Sequence, residues 1–103
     1  MIKAVEIIIN NGPINIVNSI ISFEDNICLY NNHKYIIDED FKDELVKIIS
    51  LWKHEYGYSN NIDDQEFNVT VYTDKKESFH GKGIFPNNYA SLIGLFEGLD
   101  NGR

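Results

Sequence analysis

The sequence predicts an α+β domain: an antiparallel sheet of five or six strands with two helices packed on one face, in the order β-β-β-(β)-α-β-β-α. Three observations predict it. Phe67, Val69, Val71 and Thr73 fall on alternate positions with Asn68, Thr70 and Tyr72 between them, the period of a half-buried strand. Phe41, Leu45, Ile48, Ile49, Trp52 and Tyr56 recur at three- and four-residue spacing, the period of a helix with one apolar face. The connections are short and polar, and strand runs that alternate with helices over short connections stack into two layers.

Taken in order, Lys3 to Ile9 is a first strand, with Val5, Ile7 and Ile9 on one face and Ile8 adding apolar character to the other. Asn10-Asn11-Gly12-Pro13 is a turn signal. Ile14 to Phe23 is a long second strand: Ile14, Ile16 and Ile20 line one face, Val17, Ile21 and Phe23 the other, and Asn18 is a candidate bulge or twist point. Ile27–Tyr30 and His33–Ile37 are short strands joined by the two-residue turn Asn31-Asn32, with Tyr30 paired to Tyr35 across the hairpin.

Asp38 is placed to cap a helix running from Glu39 to Tyr56 and ended by Gly57. Asp38, Glu39, Asp40, Asp43 and Glu44 crowd its first half, where the helix dipole favours negative charge. Tyr58 to Gln65 is a polar loop. After the strand at Phe67–Thr73 and a turn through Asp74, a last strand runs from Glu77 to about Ile84. Gly81 and Gly83 share its Phe79 face, so either a neighbouring side chain lies across that trough or the strand bends there. Pro86 stops the strand and Asn87 is the expected N-cap of a second helix, whose stripe is Tyr89, Leu92, Ile93, Phe96 and Leu99. Gly94, in the middle of it, is expected to pack close on the strands.

The chain of 103 residues forms one domain, 1–103, with 43% hydrophobic and 13% aromatic residues, enough to fill a core. Its net charge of −7 opposes binding to nucleic acid or anionic membranes, which need a basic face. No apolar run approaches membrane-spanning length, and Met1–Ala4 opens no secretory signal, so the protein is expected to be cytoplasmic. A single cysteine, Cys28, excludes an internal disulfide; in Ile27-Cys28-Leu29 it reads as a buried, inert thiol.

The sequence names no catalytic residue, cofactor or metal site. His33, His54 and His80 stand outside any metal-binding spacing. Asp63, Asp64 and Glu66 lack the spacing of a calcium loop. Gly81-Lys82-Gly83 lacks the rest of a phosphate loop. The expected function is therefore a small acidic protein-interaction module, such as an inhibitor, an immunity-type factor or an accessory subunit. Its partner would present a basic surface to Asp40, Asp43, Glu44, Asp63 and Asp64, with Tyr58 and Tyr72 as exposed aromatic contacts. The alternatives are a self-associating, non-catalytic domain that forms a homodimer through uncovered sheet, and a small enzyme or anion-binding domain using Gly81-Lys82-Gly83 with His80.

Overall fold

Seven strands form one sheet, and a computed structural model describes it over residues 2–10, 16–60 and 65–100, with backbone alone at 100. The strands are β1 (Ala4–Asn10), β2 (Ile16–Ser22), β3 (Ile27–Tyr30), β4 (His33–Ile36), β5 (Glu55–Tyr58), β6 (Glu66–Tyr72) and β7 (Lys76–Lys82); α1 (Glu39–Ile49) follows β4 and α2 (Tyr89–Asp100) follows β7. Their spatial order is β4-β3-β2-β1-β6-β7-β5. The domain is α+β as expected, but the sheet has seven strands rather than five or six, and it is mixed: β5 runs parallel to β7 while every other pair is antiparallel.

β1 lies at the centre because it can bury a face completely. Val5, Ile7 and Ile9 are all buried, and the register sets them between Ile21, Ser19 and Val17 of β2 and Val71, Val69 and Phe67 of β6. That pairing continues without interruption from Ala4 opposite Ser22 to Asn10 opposite Ile16, so there is no bulge at Asn18. The same face carries Cys28 on β3 and Phe79 on β7, and it receives Phe41, Leu45, Ile48 and Trp52 together with Tyr89, Leu92, Leu95, Phe96 and Leu99 in one cluster. Each large side chain taken from water in this way contributes about 1.5–3 kcal/mol. Both helices therefore lie on one side of the sheet. Phe41 meets Phe96 edge-on at 6.2 Å, and Trp52 meets Phe67 at 5.5 Å.

α1 starts as expected: the Asp38 carboxylate accepts the Phe41 N–H at 2.9 Å. It ends at Ile49, seven residues before the Tyr56 that apolar spacing predicts. The last carbonyls find partners outside the helix instead. Ser50 Oγ donates to Lys47 O at 2.8 Å and Asn88 Nδ2 donates to Ile48 O at 3.0 Å. Past that point the chain straightens into β5, which the sequence reading assigned to helix and loop. His80 N–H donates to His54 O and Ser59 N–H to Lys82 O, both at 2.9 Å, so β7 supplies the hydrogen bonds that a longer helix would have made internally. Gly57 is the turning point of a strand rather than of a helix, at φ 105°.

The Asn31-Asn32 turn forms with both residues at positive φ (51° and 67°), the arrangement that a tight two-residue hairpin requires and that Asn tolerates. Its register places Tyr30 opposite His33 and Cys28 opposite Tyr35, so Tyr30 and Tyr35 are diagonal neighbours rather than a direct pair. α2 begins at Tyr89, so Asn88 rather than Asn87 immediately precedes it.

Candidate functional site

Of the residues singled out from the sequence, Asp40, Asp43 and Glu44 come together. They line a groove between the two helices, with Lys47 beside them on α1 and Ser91, Gly94 and Leu95 on α2. All three acids are exposed. Three carboxylates against one ammonium leave the groove negative. The helix-start preference for acids put them there: α1 needs negative charge in its first turns, and α2 crosses beside that stretch.

Gly94 has a role opposite to the expected one. It is exposed, and a β-carbon built on it would meet nothing within 4 Å. It does not pack on the strands; its missing side chain leaves the groove open.

Tyr58 and Tyr72 lie elsewhere, on the sheet face that the helices leave bare. Tyr58 stands on β5 at the outer edge, and its hydroxyl donates to Glu66 Oε2. That bond, and then the carboxylate's charge, push the Tyr58 phenol above its ordinary value. Tyr72 is at the far end of β6 and half-buried, with the Lys76 ammonium 6.0 Å from its ring centre. The two tyrosines are thus separated by the length of a strand and face away from the acidic groove. Asp63 and Asp64 lie outside the described residues.

The Gly81-Lys82-Gly83 segment is closed to an anion on its glycine side. A β-carbon on Gly81 would sit 2.7 Å from Ile84 O, 2.9 Å from the Phe67 ring and 2.9 Å from Tyr56, so neighbouring side chains fill the trough. The Gly83 N–H is already given to Gln65 O at 3.0 Å. His80 and Lys82 do share the bare face of β7, opposite Asn68 and Glu66 of β6. His54 stacks on Phe79 at 4.9 Å and pairs with Glu77 at 2.5 Å. Among the described residues no group of three or more His, Cys, Asp or Glu is gathered for a metal, and no helix is long and apolar enough to cross a membrane.

One feature escaped the sequence reading. Beneath α2 lies a hollow of about 170 Å³ lined by Ile7, Ile9, Val17, Ser19, Tyr30, Gln65, Ile93 and Phe96. The available signal was Ser19, a small polar residue on the same face as Val17 and Ile21. Among the described residues its hydroxyl reaches the Cys28 Sγ, at 3.5 Å, and burial pushes that thiol up, keeping it neutral.

Comparison with protein-family models, with curated proteins and with solved structures finds no match for this chain.

Proposed function

We propose that this protein is an interaction module that receives a basic segment of another protein in the acidic groove between α1 and α2. The observation that carries the reading is Gly94 opposite Asp40, Asp43 and Glu44. A glycine inside a helix costs about 1 kcal/mol relative to alanine, and here no packing contact offsets that cost. What the glycine supplies is room for a lysine or arginine side chain beside three carboxylates. The surrounding surface suits the same role, since a chain of charge −7 steers cations toward it at a rate that falls with salt.

The test is fluorescence anisotropy with a labelled Arg/Lys-rich peptide across a salt series. Changing Asp40→Asn, Asp43→Asn and Glu44→Gln together is expected to weaken binding roughly three- to hundredfold, at the ~0.2–1 kcal/mol typical of each exposed pair. The same charge removed at Glu24, Asp25 and Asp74, away from the groove, is expected to change it little. Equal losses in the two triple variants would reduce the interaction to net charge and contradict the proposal.

Self-association is a second reading, favoured by a separate observation. The bare sheet face presents Ile36 at 83% exposure, Ile16 at 59%, Ile20 at 45% and Leu29 at 43%, all from the β2–β4 half. Apolar side chains clustered in this way suit an interface. Light scattering at high concentration decides it: a monomer throughout would remove this reading and leave the groove proposal standing.

A further inference from the structure

The hollow beneath α2 follows from how the helix is seated. Tyr89, at its first turn, packs on Phe67 of β6 at 5.3 Å, and its hydroxyl donates to Gln65 Oε1 at 2.8 Å. Phe96, two turns later, stacks on Tyr30 of β3 at 5.3 Å. α2 thus spans from β6 to β3 and rests on aromatic pillars at both ends. Between the pillars, β1 and β2 rise to meet it. In the cross-strand row Tyr30–Ser19–Ile7–Val69, Ser19 is the one small side chain, and the space above it is left unfilled.

Folded interiors seldom keep voids much larger than a water molecule, because apolar walls gain by closing on them. This hollow, partly open rather than sealed, is about 170 Å³. An apolar cavity of about 150 Å³ is known to stay dry and to admit a single benzene ring. Among the described residues that line it, none is an acid, lysine, arginine or histidine, although the chain as a whole is strongly charged. Among the described residues, the one fully buried polar side chain in the wall is Ser19, 2% exposed, and its partner there is the weakly bonding thiol of Cys28. A buried hydroxyl ordinarily has a stronger partner than that. Val17, Tyr30, Gln65 and Ile93 are half-buried, so the hollow is not sealed from solvent.

We infer that this hollow is a binding site for a small neutral molecule of one aromatic ring carrying a hydroxyl, the ring held between Ile7, Ile9, Ile93 and Phe96 and the hydroxyl bonded to Ser19 Oγ. The size sets the single ring, the described lining carries no ionised group to pair a carboxylate or an amine, and Ser19 supplies a directional contact deep in the wall. The site is independent of the acidic groove, which lies between α1 and α2 and shares no lining residue with it.

Titration of the full chain with phenol, and separately with toluene, followed by methyl-region NMR, tests it. Both probes are expected to bind saturably and to shift the methyl signals of Ile7, Ile9, Val17 and Ile93, leaving the exposed Ile36 unmoved. Ser19→Ala is expected to weaken phenol about fivefold, the worth of one hydrogen bond, while leaving toluene unchanged. Ser19→Ile, which fills the space with a strand-compatible side chain, is expected to abolish both shifts and raise the melting temperature. Absence of saturable shifts with either probe would overturn the inference. So would phenol affinity insensitive to Ser19→Ala, or binding that survives in Ser19→Ile.

Discussion

The indole of Trp52 donates to Asn88 Oδ1 at 2.6 Å, and the Asn88 amide in turn donates to Ile48 O at 3.0 Å. One side chain immediately before α2 thus satisfies both a buried tryptophan N–H and a carbonyl in the last turn of α1. It fixes where α1 stops, seats Trp52 among Phe67, Phe79 and Tyr89, and locks the two helices in the relation that creates the groove.

Asn88→Ala is therefore expected to destabilise the fold by about 2–4 kcal/mol. It leaves two polar groups without partners, at about 1–3 kcal/mol each when fully buried, and here part-buried. Chemical denaturation with tryptophan fluorescence measures this directly, since Trp52 is the only tryptophan.

Gly81 allows no side chain. The nearest atom to its virtual β-carbon is a backbone oxygen at 2.7 Å, which cannot rotate away, and two ring-bearing residues close the remaining sides. Gly81→Ala should cost on the order of 1–3 kcal/mol, as for an overpacked core position. Gly94→Ala, with empty space around it, should instead stabilise by about 0.5–1 kcal/mol. Opposite signs for the same substitution at two glycines are read from urea midpoints.

Burial pushes the Tyr89 phenol up to about 12. A raised phenol means that folding favours the neutral form. The stabilisation is fully present below the unfolded value near 10 and is lost as pH rises through the folded value. Stability should thus fall between about pH 10 and 12, by on the order of 2 kcal/mol from this group. Tyr89→Phe should flatten that decline relative to wild type while losing the hydrogen bond to Gln65 at every pH.

Much of the fold was legible because it depends on local periodicity. The alternation of Phe67, Val69 and Val71, the Asn31-Asn32 turn and the Asp38 cap each act through nearby residues, and each forms. The end of α1 was not legible. Trp52 and Tyr56 continue the helical spacing, but the groups that break it, Asn88 and the edge of β7, are more than twenty residues away. The fifth strand was lost with that misreading. The acidic residues Asp40, Asp43 and Glu44 could be named from helix-start chemistry, whereas the groove needed α2 alongside. Ser19 was not singled out from the sequence, because its meaning depends on how far Tyr89 and Phe96 hold the helix above it.

The central claim, that a basic segment enters the space beside Gly94, is tested most directly by Gly94→Leu. That change adds bulk without altering charge, at an exposed helical position where leucine is well tolerated. In the anisotropy assay with the Arg/Lys-rich peptide, the account predicts that Gly94→Leu folds normally and loses most of its affinity, as the Asp40, Asp43 and Glu44 variant does. Unchanged affinity in a folded Gly94→Leu protein would contradict it.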